Sequence, residues 1–228
     1  MMKKTKIILS ALACILASSA SLAQDEEQAP MSFFITGVGL GDGGNLGGLA
    51  GADAHCQVLA TSVGRGDSTW RAYLSTQGPN AVNARDRIGS GPWYGQAGNM
   101  IARDQDHLHG DTLEQARAGN GLHPFHARTE RGDMVPGIVT REAGLDVSKH
   151  DILTGSMPDG RAYPAGNDQS CSNWTSNDEN SGSARVGHHD RHGFMDNSWN
   201  STHGTRNCSQ AGVEAGGGAG FFYCFAID

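Results

Sequence analysis

The stretch "GGLAGADAHCQVLATSVG" spans residues 47–64. Leu49, Ala52, Cys56, Leu59 and Val63 recur at three- and four-residue spacing, which puts them on one face of an amphipathic helix. Gly64 supplies the stop, because glycine enters the left-handed conformation that ends helices without a steric penalty. Asp53 and His55 fall off that face. Cys56 therefore sits in the buried stripe, with no second cysteine near it. Where its partner lies decides how the chain folds.

The chain has five cysteines in 228 residues. It begins "MMKKTKIILSALACILASSASLAQ", with Lys3, Lys4 and Lys6 ahead of an apolar run from Ile7 to Ala17. Ser21-Leu22-Ala23 is a small-x-small cleavage site, so residues 1–23 read as a signal peptide and the mature chain starts at Gln24. A lipoprotein reading at Cys14 is disfavoured by Ala11, a poor residue three places before an acylated cysteine. No later stretch reaches the roughly 18 apolar residues of a membrane span. These features predict a secreted or periplasmic protein. Cys14 leaves with the signal. Cys56, Cys171, Cys208 and Cys224 then remain, an even number that reads as two disulfides with three pairings open.

Cleavage also removes three of the basic residues. The whole chain carries 17 Lys+Arg against 24 Asp+Glu, and the part after residue 23 carries 14 against 24, a formal charge of about −10. Lys149 is its only lysine. Such a surface argues against nucleic acid, polyanionic sugars and anionic lipid as partners.

The roughly 205 remaining residues fit one domain. Residues 24–31 form a polar leader, and the domain runs over 32–228. "SFFITGVGL" and "GAGFFYCFAID" read as the first and last strands, and "STWRAYLST" puts Trp70, Ala72 and Leu74 on one strand face. "NAVNARDRI" predicts a short helix and "CSNWTS" (171–176) a strand. Residues 102–150 are polar with little periodicity, which predicts an excursion without a core of its own. Trp174 and Trp199 read as anchoring aromatics, whereas Trp93 and Tyr94 lie on a glycine-flanked turn, a setting for an exposed aromatic.

"GGLAGADAHCQ", "TWRAYLST", "ARDRIG", "LTGSMPDGR", "CSNWTS" and "CSQ…GGAGFFYCFA" follow one another in the order seen in endostatin-like domains of the C-type lectin-like superfamily. The chain resembles that family from about Phe33 to Asp228, with 102–150 unmatched. The resemblance implies an α+β fold of one or two helices beside twisted antiparallel sheets, with a long loop region. It also implies nested disulfides, Cys56–Cys224 outside and Cys171–Cys208 inside. Members of this superfamily mostly bind ligands, so it implies a non-catalytic carbohydrate-binding protein. An adhesion or matrix-type module that binds an extracellular protein is the alternative.

Calcium-dependent lectins hold sugar through a loop with Glu-Pro-Asn or Gln-Pro-Asp and a later Trp-Asn-Asp. Here Trp199-Asn200-Ser201 stands in the latter place, and the former triplets are missing between Cys171 and Cys208. The loop still offers oxygen groups at Asn177, Asp178, Glu179, Asp190, Asp196, Asn197 and Asn200, which admit calcium or a sugar in another arrangement. "GHHDRHG" gathers His188, His189, Asp190 and His192, ligand types that suit zinc or copper. His107, His109, His123 and His126 form a second histidine-rich region. A metal-binding exported protein is therefore a third reading. Sequence motifs for catalysis are missing, and Asp53 is expected to make a structural hydrogen bond from the helix to a neighbouring loop.

Overall fold

The computed structural model describes residues 28–144, 147–191 and 198–228. The predicted signal peptide 1–23, the first part of the leader, and three candidate ligand residues (His192, Asp196 and Asn197) lie outside the described residues.

The fold is mixed α+β, built on its last strand. The strands are β1 (Phe33–Ile35), β2 (Trp70–Ala72), β3 (Trp93–Tyr94), β4 (Met100–Ala102), β5 (Asp151–Leu153), β6 (Arg185–His188), β7 (His203–Gly204) and β8 (Gly218–Ala226). The main sheet runs β1-β8-β5-β6-β7, with β2 also paired to β8. β8 pairs antiparallel with β1 and β2 and parallel with β5. Side chains alternate across a strand, and here both faces are apolar. Phe222, Cys224 and Ala226 enter one core, and Phe221, Tyr223 and Phe225 enter another. That double burial explains the unbroken apolar run at the end of the sequence.

The first core lies under helix α1 (Gly48–Ser62), which buries Ala52, Cys56, Leu59 and Ala60. Leu49 and Val63 pack at its margin, and Met31, from the end of the leader, is buried in it. Asp53, at the edge of the buried face, accepts from Ala72 N at 2.9 Å and from Arg87 Nη2 at 2.5 Å. Cys56 is bonded to Cys224 across 168 residues, and Cys171 to Cys208 across 37. In the chain-entropy account these links stabilise the fold by roughly 5 and 4 kcal/mol before strain. They are large beside a typical net stability of about 5–15 kcal/mol.

The second core takes in part of the 102–150 segment, which has no separate core. That segment forms α2 (Gln105–His109), α3 (Leu113–Ala118) and α4 (Ile138–Glu142), and it gives Leu108, Leu122, Ala127 and Val135 to the core. These apolar residues enter singly, Leu108 from α2 and the others from the irregular chain between α3 and α4, and leave no periodic trace. Trp93 is buried too, edge-on to Phe225 at 5.3 Å, so it is packing and not an exposed platform. Residues 171–174 do not form a strand. Cys171, Ser172, Asn173 and Trp174 all take positive φ, a left-handed turn. The turn is pinned by the disulfide, by Asn173 Oδ1 accepting from Gln77 N at 2.7 Å, and by Trp174 Nε1 donating to Ser75 O at 2.8 Å. No described helix is long and apolar enough to cross a membrane.

Candidate metal centre

Strand pairing brings histidines together that the sequence keeps far apart. β5 and β6 pair so that Asp151 faces His188 across the ladder. β7 then sets His203 beside Val186 on β6. His150 precedes β5 by one residue. His150 Nε2 and His188 Nε2 each lie 3.2 Å from Asp151 Oδ1, and His203 Nε2 lies 3.6 Å from it. His188 Nε2 and His203 Nε2 are 3.1 Å apart. The His150 and His188 rings stack at 4.0 Å. The ligand atoms of His150, Asp151 and His188 all lie within 4.8 Å of one another.

The outer nitrogens fix what the inner ones offer. His150 Nδ1 meets Asp190 Oδ1 at 3.2 Å, and Asp190 Oδ2 accepts from Ile138 N at 2.9 Å. A carboxylate can only accept, so the tautomer with the proton on His150 Nδ1 serves Asp190 and turns an Nε2 lone pair inward. His203 Nδ1 faces the Gly204 carbonyl at 3.1 Å, with the same result. Carboxylate and carbonyl partners of this kind orient metal-ligating histidines. In these tautomers two lone pairs point at one carboxylate oxygen, an arrangement that positive charge between them relieves. Asp151 is fully buried, and neither of its oxygens accepts a hydrogen bond among the described residues. A buried carboxylate without donors is costly unless charge compensates it.

Two glycines give the carboxylate room. A Cβ on Gly216 would come 2.8 Å from Asp151 Oδ2, and one on Gly217, at φ +107°, would come 3.5 Å from His150 Nε2. The donor set of three imidazoles and one carboxylate fits a first-row transition ion, and lacks the six or more oxygens that calcium wants. A tetrahedral ion with bonds of about 2.0–2.1 Å spaces its ligands roughly 3.4 Å apart. Four of the six pairwise separations among these ligand atoms, 3.1–3.6 Å, bracket that value.

The sequence grouping of His188, His189, Asp190 and His192 is thus rearranged. His188 joins the centre and Asp190 supports it from behind. His189 lies in the turn after β6 and is not part of the cluster. Its ring is buried against the Pro136 carbonyl, and burial pushes its pKa down to about 4. His150, Asp151 and His203 escaped notice because only the register joins them.

The oxygen-rich set is scattered. Asn177, Asp178 and Glu179 are exposed, with Asn177 Nδ2 donating to Asp42 Oδ1 at 2.5 Å. Asp190 lies at His150. Asn200 is buried, its amide donating to Tyr73 Oη at 2.9 Å and to the Met157 and Pro158 carbonyls. That commitment leaves Asn200 unable to read a ligand. Of the other histidines, His107 and His109 lie on α2 and are bonded within the protein. His123 and His126 stack on each other at 3.9 Å. No protein-family model and no curated protein matches the chain.

Proposed function

We propose that this is an exported, non-catalytic protein that binds a divalent first-row transition ion through His150, Asp151, His188 and His203. One observation carries the reading: three imidazole Nε2 atoms converge on a single buried carboxylate oxygen that accepts no hydrogen bond among the described residues. Protons alone serve such a cluster poorly, because several imidazolium ions packed together repel one another. One divalent ion satisfies all four groups at once. The two disulfides fit an oxidising compartment, in keeping with the signal-like leader.

The scaffold is proposed to be C-type lectin-like, of the endostatin type. The order of the motifs and the nested disulfides support it. A glycan or extracellular-protein ligand has support only in the exposed Asn177–Glu179 segment, and a glycan array with and without chelator tests it.

Titration with Zn²⁺, Co²⁺ and Cu²⁺, followed calorimetrically and by metal analysis, tests the main reading. At least one ion should bind stoichiometrically, Ca²⁺ and Mg²⁺ should not compete, and His188→Ala should abolish binding. Equal uptake by wild type and His188→Ala, or no uptake of any of the three ions, would sink it.

A further inference from the structure

The four ligand side chains are not equally held. His150, Asp151 and His188 have side-chain exposures of 7, 0 and 6%, against 42% for His203. Asp151 and His188 pair in the ladder of β5 and β6, inside the sheet, and His150 precedes β5 by one residue. β7 is the edge strand and has only two residues, paired to β6 alone. The outward nitrogen of His203 is bonded to the carbonyl of its own neighbour, Gly204, whereas that of His150 is tied to Asp190 and through it to the start of α4. His203 therefore stands between the trio and solvent. It can turn away without breaking a contact to another element on its outer side.

Resting on the metal reading above, we infer that His203 is the exchangeable ligand of the centre. The site then takes up and hands on its ion through that position and does not keep it as a permanent staple. Coordination chemistry supplies the route. Three protein ligands and one replaceable position are what an incoming donor requires. A divalent ion beside one carboxylate keeps a net positive charge, which favours small nitrogen or carboxylate donors such as imidazole or free histidine. The atoms balance simply: the His203 Nε2–metal bond breaks as the incoming donor's bond forms, and no proton or electron is transferred.

Cobalt exchange on the full chain tests this. Co²⁺-loaded wild type and His203→Gly are compared by visible ligand-field spectra and by release to an excess of a coloured chelator. His203→Gly should still load with cobalt. It should release the ion about tenfold faster or more, an effect at least the size of removing a supporting partner. Added imidazole should restore the wild-type spectrum and slow the release. His188→Ala should fail to load. Release by His203→Gly at the wild-type rate, or no response to imidazole, would overturn the inference. So would a complete loss of loading, since His203 would then be integral to the site. His203→Gln serves as a second variant if the glycine at the edge strand lowers the melting temperature. Failure of wild type itself to load cobalt or zinc is a different result, and it removes the metal reading on which this one rests.

Discussion

Two sets of histidines behave in opposite ways. On α2, His109 Nδ1 donates to Gln105 O at 2.9 Å, and His109 Nε2 accepts from Tyr73 Oη at 2.8 Å. Tyr73 in turn accepts from Asn200. Nearby, His107 Nδ1 accepts from Arg103 N and its Nε2 meets the Gly119 carbonyl. Every nitrogen has a complementary partner. Around Asp151 the Nδ1 atoms of His150 and His203 are likewise matched, yet the inner nitrogens face one another and a carboxylate. Histidine count and burial do not separate the two sets. Complementarity does: the first network pairs every nitrogen with a backbone or side-chain partner, whereas the second gathers imidazole nitrogens around a buried carboxylate, the arrangement on which the proposed cation site rests.

The largest expected effect tests the closed network. Burial lowers the His109 pKa to about 4 and raises that of Tyr73, so both are neutral at pH 7. The folded pKa of His109 lies below its unfolded value of about 6.5. Its contribution is present in full above pH 6.5 and is lost as the pH falls from there towards 4. At about 1.4 kcal/mol per unit the loss approaches roughly 3 kcal/mol. Denaturant unfolding of wild type and His109→Gln at pH 7 and pH 4.5 reads it. The variant should lose less stability on acidification. An identical pH dependence would mean that this histidine does not act as a neutral link.

Next in size is the contribution of the ion. A ligand at a hundred times its Kd stabilises the folded state by about 2.7 kcal/mol. Wild type and His109→Gln should both gain this on addition of saturating Zn²⁺, and His150→Ala should gain nothing. Thermal melts with and without metal decide it. A gain in His150→Ala as large as in wild type would erase the contrast between the two sets.

Asp190→Asn sharpens the contrast from behind the ligand. An amide at this position can present its NH₂ to His150 Nδ1, which reverses the donor–acceptor sense and unsettles the tautomer. Loss of such a partner weakens metal binding about 10–100-fold. The same variant should leave the Tyr73–His109 network untouched. Calorimetric affinity gives the readout, and an unchanged Kd would remove Asp190 from the centre.

Much of the framework was legible in the sequence. The spacing from Leu49 to Val63 marked α1, and the apolar run 218–226 marked β8, because each element has a period or a density that survives without context. The left-handed turn at 171–174 could not be read as one, since no glycine announces it and long-range bonds impose it. The centre was half legible. His188 and Asp190 stood out as neighbours in a histidine-rich run. His150, Asp151 and His203 are joined to them by strand register, which is a property of pairing and has no local signature.

The smallest expected effect concerns the polar loop that drew attention in the sequence. Asn177, Asp178 and Glu179 are exposed, and Asp178 spends Oδ1 on Asn180 N at 2.8 Å. Exposed substitutions away from special features shift stability by no more than about 0.5 kcal/mol. Asn177→Ala and Glu179→Ala should therefore melt with wild type and bind Zn²⁺ with its affinity. Their use lies in separating the two ligand readings. A glycan that binds wild type but not these variants would set a sugar site apart from the metal centre. A glycan lost in His188→Ala and kept in Asn177→Ala would instead make the bound ion part of the sugar site, joining the two regions that the geometry holds apart.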